Sequence, residues 1–211
     1  MERIIGVYGA SGFGREIMPI VQKDALTDTE IVFVDDSVSG DVNGHRVFSF
    51  KQFCDLTTSK SITIAIADNE VRRELSAKCA DFGIPFQNVQ SECSIVGPNC
   101  SVGDGSILCG FVTLTANIKI GHHFHANIYS YVAHDCLIGD FVTFAPAVKC
   151  NGNVLINDCA YIGTGAILRQ GQAGRPLVIG EGAVVGMGAV VTKDVPAGAT
   201  VVGNPARIME R

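Results

Sequence analysis

The chain has 211 residues, 47% of them hydrophobic, which is enough apolar material to bury a core in one large domain or two small ones. Its 16 Lys and Arg against 21 Asp and Glu give a net charge of -5 without any basic cluster, which excludes a broad nucleic-acid-binding face. No apolar run approaches the ~18 residues of a membrane span, and the N-terminal "MERIIGVYGASGFG" lacks the pattern of a signal peptide, so we predict a cytoplasmic protein.

The first part of the chain alternates strand and helix patterns. The apolar run "RIIGVYG" at 3–9 predicts a strand, and apolar residues then recur at helical spacing after a glycine-rich turn. A second strand, "EIVFVDDS", follows, and the segment 61–83 predicts a third strand leading into a helix with an apolar face that includes Val71 and Cys79. Alternating strands and helices predict a small parallel sheet over residues 1–88.

The turn after the first strand, "GASGFGR" at 9–15, is a candidate phosphate site. Backbone N–H groups at a helix N-terminus can approach a phosphate closely, and the arginine can add charge. The spacing is not the dinucleotide-binding G-x-G-x-x-G, and a purely structural turn would also need these glycines. The second strand ends at Asp35 and Asp36, where an acidic residue commonly meets a ribose hydroxyl or a base N–H. So small a sheet favours a nucleotide-linked sugar over a redox dinucleotide.

In the rest of the chain a period of six residues replaces the helical spacing. Every sixth residue over 96–168 is apolar, and the residues two places earlier are small or apolar. A six-residue unit with two inward residues and a glycine-tolerant corner predicts a parallel β-helix, with three units in each coil of 18 residues. His134 then lies one coil from Ala116 and one coil from Gly152. The repeat is interrupted near 170–177, which predicts an external loop.

The histidines and cysteines are the remaining candidates for chemistry. The eight cysteines form no C-x-x-C pair and mostly lie in apolar segments, so we predict reduced, buried thiols. The run "GHHFH" at 121–125 lacks an accompanying carboxylate or cysteine, which favours an exposed or interface role over a metal site. His45 is predicted to lie in an exposed loop. His134 stands outside the inward positions, so its ring should point out of the coil, where its pKa near neutrality suits a general base.

Four segments, in order across both regions, resemble the PglD/NeuD-like family of hexapeptide-repeat sugar acetyltransferases. They are "YGASGFGRE", "VDD", "HDCLIGDF" and "GEGAVVGMGAVVTKDVPAGATVVGNPA". The resemblance implies a Rossmann-like domain that binds a nucleotide sugar over residues 1–88 and a left-handed β-helix acetyltransferase domain over residues 89–211. It also implies a homotrimer with its active sites between subunits and acetyl-CoA as the acetyl donor.

The resemblance further implies roles for individual residues. His134 is the implied catalytic base. The family has a glutamate directly before this histidine, where this chain has Ala133, so Asp135, a backbone carbonyl or a neighbouring subunit must orient the ring. A second family histidine at the donor is replaced by Thr143. The implied contacts with the nucleotide sugar are Ser11, Gly12, Phe13, Gly14, Arg15, Asp35 and Asp36. The candidate contacts with the acetyl donor are Thr143, Asn151, Gly152, Thr164, Gly165, Gly182 and Gly186. Several of these glycines are equally explained as β-helix corners.

The sequence therefore predicts an acetyl-CoA-dependent N-acetyltransferase of a nucleotide-linked amino sugar, namely a UDP- or dTDP-linked 4-amino-4,6-dideoxy sugar used in surface glycans. One alternative is O-acetylation of a sugar such as sialic acid, with the same base and donor. The other is a β-helix scaffold without catalytic activity. The identity of the nucleotide depends on loop shapes that residue spacing does not resolve.

Overall fold

The computed structural model describes residues 3–25 and 27–209. The chain divides into two compact units, 1–89 and 90–211. None of the helices in the described ranges is both long enough and apolar enough to span a membrane.

A five-stranded sheet with three helices forms the first unit. Its elements are β1 Arg3–Tyr8, α1 Gly12–Asp24, β2 Thr29–Val34, β3 Gly40–Val42, β4 His45–Phe48, α2 Phe50–Asp55, β5 Ser59–Ile64 and α3 Asn69–Asp81. The strand order is β3-β4-β2-β1-β5, and β1 pairs in parallel with both β2 and β5.

One edge of this sheet departs from the predicted parallel arrangement. The short strand β3 runs antiparallel to β4. Only Asn43 and Gly44 separate the two strands, and both have positive φ, at 51° and 82°. A two-residue turn of this kind joins antiparallel neighbours, so the Asn-Gly pair explains the hairpin.

The predicted apolar face of α3 is wrong in part. Cys79 is buried, but Val71 is 42% exposed, and Arg72 takes a fully buried place. The Arg72 guanidinium donates to the backbone oxygens of Ile66 and Ala67, at 2.7 and 3.2 Å. A buried charge with such partners replaces an apolar side chain, which the hydrophobic pattern does not reveal.

The second unit is a parallel β-helix with three sheets of very short strands. Residues in neighbouring coils pair 18 positions apart, as Thr113 does with Tyr131 and Tyr131 with Lys149. One sheet contains β7 Ile95–Val96, β10 Thr113–Leu114, β13 Tyr131–Val132, β16 Lys149–Cys150, β19 Ile167–Leu168 and β22 Val190–Val191. The second contains β8 Ser101–Val102, β11 Lys119–Ile120, β14 Leu137–Ile138, β17 Val154–Ile156 and β20 Leu177–Ile179. The third contains β6 Val89–Gln90, β9 Ile107–Leu108, β12 His125–Ala126, β15 Thr143–Phe144, β18 Tyr161–Ile162, β21 Val184–Val185, β23 Thr200–Val202 and β24 Arg207–Ile208.

The predicted fold class, a small Rossmann-like sheet followed by a left-handed parallel β-helix, is confirmed. The inward series also holds, since Leu114, Val132 and Cys150 are all at most 1% exposed. The first coil is the exception, where Val96 is 38% exposed. This residue has a neighbouring coil on only one side.

Each six-residue unit turns at one residue with a left-handed backbone. Positive φ values recur at every sixth position over 99–165, between 54° and 74°. They form three ladders that run along the three corners of the β-helix. The polar corner has Asn99, Asn117, Asp135 and Asn153, the middle corner has Gly105, His123, Phe141 and Cys159, and the aromatic corner has Phe111, Tyr129, Ala147 and Gly165.

The spacing of the repeat changes twice, first after β19. Val154 pairs with Leu177, 23 residues on, where the regular spacing is 18. The five additional residues belong to a segment on the polar-corner side of the coil, between Arg169 and Pro176, which is exposed apart from Gly171. β21 and β22 keep this register, but the last coil is two residues shorter than a regular one, since Ile179 pairs with Val195 and Val184 with Thr200, each 16 residues on.

Two predictions about single residue types need correction. All eight cysteines are free thiols, but Cys93 is exposed because it precedes the first complete coil. His45 is half-buried rather than exposed, since it lies in β4 with its Nδ1 atom 3.1 Å from the Ile31 carbonyl oxygen.

Candidate active site

His134 lies at the polar corner, between β13 and β14. The backbone on either side is fixed by the adjacent coils, since Asp135 N donates to Ala116 O at 3.1 Å and Asn153 N donates to His134 O at 2.9 Å. The side chain is 48% exposed, so the predicted outward orientation of the ring is confirmed. The regular coil thus presents one imidazole to solvent at a fixed point.

Asp135 orients the ring. Its Oδ2 atom lies 2.7 Å from His134 Nδ1, and its φ of 58° places the carboxylate beside the preceding residue. Hydrogen bonds from the His134 ring and then from Asn117 lower the pKa of Asp135 below its ordinary value. With Nδ1–H donated to this carboxylate, Nε2 keeps its lone pair and can accept a proton. Of the three sources considered for the orientation, the neighbouring Asp135 is the one that contacts the ring.

Gly152 makes room for the imidazole in the next coil. A Cβ atom at this position would lie 2.6 Å from both Cε1 and Nε2 of His134. Every side chain larger than hydrogen would therefore displace the ring or cover its free nitrogen. The glycine keeps Nε2 accessible beside a bare stretch of backbone.

The cysteines beneath the site are part of the core. Cys136 Sγ donates to Asn151 O at 3.3 Å, and Cys150 is fully buried beside it. The hydrogen bond with Cys136, together with burial, raises the pKa of Cys150 well above its ordinary value. Cys150 is therefore a neutral thiol that packs the coil interior.

The predicted donor contacts do not converge within one chain. Asn151 and Gly152 share the polar corner with His134, and Asn151 accepts a hydrogen bond from Tyr131 Oη at 2.9 Å. Thr143 lies in β15, half a coil from His134, with 5% exposure. The others lie at different corners: Thr164, Gly165 and Gly186 on the aromatic side, and Gly182 on the middle side.

A basic pocket that the sequence did not predict continues the polar corner. It has a volume of about 300 Å³, and its lining includes three cations, Arg169, Arg175 and Lys193, and one acid, Asp194, whose Oδ1 accepts a hydrogen bond from Val178 N at 3.0 Å. Gly171, also in the lining, donates its N–H to Gly152 O at 2.9 Å, so the pocket begins two coils from His134. At ~4.8 Å per coil, this separation is about 10 Å.

The glycine turn of the first unit lies at the carboxyl end of β1. The strand order reverses there, since β2 and β5 flank β1, and ligands bind α/β sheets at such a switch point. A Cβ atom at Gly14 would lie 1.8 Å from Gly9 O, whereas one at Gly12 would meet no atom within 4 Å. Gly14 thus allows close packing of α1 on β1, while Gly12 leaves open space at the start of the helix.

The other turn residues are close to this space. Ser11 is the N-cap residue of α1, and its hydroxyl makes no capping hydrogen bond. Arg15 is exposed, with Nε donating to Ser11 O at 3.3 Å, and Phe13 is half-buried. Exposed N–H groups at the start of a 13-residue helix, with a cation beside them, can bind an anion.

Asp35 and Asp36 support the same edge of the sheet. Asp35 accepts hydrogen bonds from the backbone N–H groups of Ala10 and Ser37, at 3.0 and 2.8 Å. Asp36 accepts from Phe50 N at 2.8 Å and from Tyr8 Oη at 3.0 Å. The Phe50 N–H is the main reason why the pKa of Asp36 is lowered. Both carboxylates thus already fix the turn and its surroundings, a role that the strand pattern did not predict.

Two of the three histidines of 121–125 are buried. The sequence predicted an exposed or interface role for this run, and exposure holds for His122 but not for His123 and His125, which are 3% and 1% exposed. His123 is a corner residue whose ring stacks on Phe141, with the ring centroids 5.0 Å apart. Across residues 3–25 and 27–209, no group of three or more His, Cys, Asp or Glu is arranged to hold a metal ion.

Known proteins resemble this chain along its whole length. Residues 4–79 match the family model of the PglD N-terminal domain. GDP-perosamine N-acetyltransferase of Escherichia coli O157:H7 is 48% identical over 99% of this chain and 97% of its own length. The structure of WeeI from Acinetobacter baumannii AYE is 55% identical, with a TM-score of 0.96 over 98% of this chain and 100% of that one. The acetyltransferase domain of PglB from Neisseria gonorrhoeae FA1090, in complex with acetyl coenzyme A, is 31% identical, with a TM-score of 0.88 over 99% and 100%.

Proposed function

The chain belongs to the PglD/NeuD-like family of sugar acetyltransferases, and we propose that it transfers the acetyl group of acetyl-CoA to the amine of a GDP-linked 4-amino sugar, with His134 as the base. The reaction class is that of a nucleotide-sugar N-acetyltransferase, and acetyl-CoA is the donor. Both substrates are cytoplasmic metabolites, so we place the reaction in the cytoplasm. The observation that carries the choice of base is the His134–Asp135 pair with its open Nε2.

The proposed mechanism begins with proton transfer to His134. As the sugar nitrogen attacks the thioester carbonyl carbon and the C–N bond forms, Nε2 takes a proton from that nitrogen. Asp135 stabilises the resulting imidazolium through Nδ1–H. The carbonyl oxygen becomes an oxyanion, then the C–S bond breaks and CoA leaves as a thiolate that the imidazolium can protonate.

The donor is proposed to lie along the polar corner. The backbone at Gly152 adjoins Nε2, so its N–H is a candidate to stabilise the oxyanion, as is the Thr143 hydroxyl of a second chain. The basic pocket at Arg169, Arg175 and Lys193 would receive the phosphates of CoA. The extended pantetheine arm would span the two coils between them. The remaining donor contacts predicted from the sequence would come from an adjacent subunit.

The nucleotide is proposed to bind at the glycine turn, in the Rossmann-like domain predicted over residues 1–88. Ser11, Gly12, Phe13, Gly14 and Arg15 would contact the diphosphate, and Asp35 and Asp36 would contact the ribose or the base. The sequence favoured a UDP or dTDP sugar. GDP is preferred here because the relative that is 48% identical acts on GDP-perosamine, whose sugar is of the predicted 4-amino-4,6-dideoxy class. A UDP sugar, one of the two predicted from the sequence, is the second candidate.

A homotrimer is proposed because one chain does not bring the donor contacts together. Thr143 lies half a coil from His134, and the aromatic corner is a different corner of the β-helix, so a partner chain that brings these residues to His134 would supply the second wall of a groove. Closed three-fold assembly makes three equivalent grooves. Light scattering on the purified protein should give three times the chain mass of 22.3 kDa.

The substrate proposal is tested by mass spectrometry of acetylation products. The purified enzyme is incubated with acetyl-CoA and GDP-perosamine, with UDP- and dTDP-4-amino sugars, and with free sialic acid. Acetylation of GDP-perosamine at the amine, faster than of the other acceptors, is the expected result. Preference for a UDP sugar would overturn the GDP assignment, acetylated sialic acid would favour an O-acetyltransferase, and the absence of any product would favour a scaffold.

The shared site is tested by mixing subunits. His134→Ala chains are unfolded and refolded together with Thr143→Val chains, each inactive or impaired alone. Mixed trimers contain grooves with an intact His134 from one chain and an intact Thr143 from another, so activity should recover. Failure to recover, with mixed trimers verified by mass, would contradict a donor site built from two chains.

A further inference from the structure

The polar corner carries a continuous chain of side-chain hydrogen bonds that ends at His134. Asn99 Nδ2 donates to Asn117 Oδ1 at 3.1 Å, and Asn117 Nδ2 donates to Asp135 Oδ1 at 3.2 Å. The other oxygen of Asp135, Oδ2, meets His134 Nδ1 at 2.7 Å. Three successive coils thus contribute one side chain each, and the last of them contacts the proposed base.

The direction of these hydrogen bonds follows from which groups can donate and which can accept. A carboxylate accepts hydrogen bonds and cannot donate, so Asn117 must turn its amide nitrogen towards Asp135. Its amide oxygen then faces the opposite coil, where only a donor such as Asn99 Nδ2 can satisfy it. An aspartate at position 99 or 117 would break this order.

The backbone also explains why these residues are asparagines. Asn99 and Asn117 both have φ of 55°, a left-handed conformation that asparagine tolerates far better than most residues do. The corner could equally hold glycine, as it does at Gly105 and Gly165. Glycine would fit the left-handed backbone but has no side-chain amide to donate a hydrogen bond to the next coil.

We propose that Asn117 is a positioning residue for the acetyl transfer, holding Asp135 so that its carboxylate fixes the His134 ring, with Asn99 as its support. This inference rests on the proposed role of His134 as the base. Asp135 is 48% exposed and would otherwise exchange its ring contact with solvent. With Oδ1 held by Asn117, the carboxylate keeps Oδ2 on Nδ1, and Nε2 stays directed past Gly152.

The titratable groups around this pair are few among the described residues. Cys136 faces it from the coil interior, with Sγ 3.6 Å from His134 O. The next coil contributes Gly152, which has no side chain, and the preceding coil contributes the neutral amide of Asn117. Asp135 is the charged group in hydrogen-bond contact with the ring.

The first test compares Asn117→Gly with Asn99→Gly. Both replacements keep a residue suited to φ of 55°, and each removes one amide from the same ladder, so their effects on stability should match. We expect Asn117→Gly to lower kcat about 10-fold, with KM changed less than about twofold, because the base is misoriented while binding is kept. Asn99→Gly should lower kcat less. Equal kcat values for the two variants and the wild type would overturn the proposal.

The second test measures the coupling without turnover. Asn117→Gly releases Asp135 Oδ1 and should weaken the hydrogen bond from the His134 Nδ1–H to Asp135, whereas Asn99→Gly acts from one coil further away and should weaken it less. The NMR signal of the Nδ1 proton, which a hydrogen bond to a carboxylate protects from exchange with water, records both changes. The same signal in both variants and in the wild type would contradict the proposal even where activity is lost.

The two readouts separate this inference from the proposed function. If the graded NMR changes are found but His134→Ala retains full turnover, the ladder positions a ring that is not the base, and the catalytic assignment is wrong. If His134→Ala is inactive but Asn117→Gly matches the wild type in both kcat and the Nδ1 proton signal, the positioning role is wrong.

Discussion

The polar corner and the aromatic corner share one backbone and differ in chemistry. Both turn at a left-handed residue every 18 positions, with φ of 58° at Asp135 and 61° at Tyr129. On the aromatic side Phe111 and Tyr129 stack with centroids 5.1 Å apart and planes 2° apart, although they are 55% and 59% exposed. On the polar side an amide ladder leads to an imidazole. The coil fixes the position of each corner side chain, whereas the type of side chain differs between the corners according to its role.

The largest expected difference between the corners is in turnover. His134→Ala removes the proposed base and should lower kcat by about 100- to 10,000-fold, with acetyl-CoA binding retained. Steady-state kinetics and calorimetric titration of acetyl-CoA measure the two effects. Near-normal turnover would show that the polar corner does not supply the catalytic base.

Glycines at equivalent places give a matched pair. Gly152 and Gly110 both directly precede the left-handed residue of their corner, but a Cβ atom at Gly110 would meet only Ser91 Oγ, at 3.8 Å. Gly152→Ala should displace the His134 ring and lower kcat about 100-fold, while Gly110→Ala leaves kcat unchanged. Kinetics on both variants, with melting curves to verify folding, makes the comparison. Equal losses would mean that the loss at Gly152 does not come from displacement of the His134 ring.

The carboxylate of Asp135 should contribute to the catalytic rate. Asp135→Asn removes the group that holds Nδ1 and stabilises the imidazolium formed as the base takes its proton, so kcat should be about 10-fold lower. Steady-state kinetics measures this loss, and an unchanged kcat would mean that the ring is oriented without Asp135.

A stability effect with a defined sign should accompany this change. The folded-state pKa of Asp135 is below its ordinary value of 3.8, so its contribution to stability is present above pH 3.8 and is lost as the pH falls through the lowered pKa. Urea unfolding of the wild type and of Asp135→Asn should therefore differ at neutral pH and converge in acid. A difference that persists in acid would show that the loss is not electrostatic.

The smallest expected effect is on the aromatic corner. Phe111→Asn removes the stacking on Tyr129, worth about 0.5–1.5 kcal/mol, but introduces a residue that tolerates φ of 61°. The free energy of unfolding should change by less than about 1 kcal/mol, and kcat should stay within about twofold. Denaturant unfolding and kinetics measure both. A large fall in kcat would indicate that the shared groove extends along the aromatic corner as far as Phe111.

Sequence reasoning predicted the β-helix well because its signal is strictly periodic. The inward series and the placement of His134 beside Gly152 follow from counting in units of six and eighteen. The basic pocket was missed because Arg169 and Lys193 meet only after the five inserted residues change the spacing. Asp135, the next residue, was one of three predicted candidates to orient the ring, and the structure shows its carboxylate in contact with Nδ1, a detail that residue spacing alone does not decide.

The first unit was harder to predict because its interactions are not periodic. The Asn43-Gly44 pair is a hairpin signal that could have predicted the antiparallel edge. No pattern predicts that Arg72 is buried on backbone carbonyls, or that Asp35 binds the N–H of Ala10. These contacts depend on how loops from distant parts of the sequence meet at the edge of the sheet.

The two changes of spacing in the repeat have a consequence for how such a chain can change length over generations. A deletion or duplication of one residue within a central coil would rotate every later position, so that buried side chains point outward and each corner moves out of line. The five residues added before Leu177 avoid this because they bulge outward and the coil resumes in phase, and the two residues missing before Val195 fall in the last coil, where few positions follow. Length variants should therefore be confined to such bulges, to the last coil and to whole coils, and a change of length in the bulge after Arg169 would reshape the basic pocket and leave the proposed base unchanged.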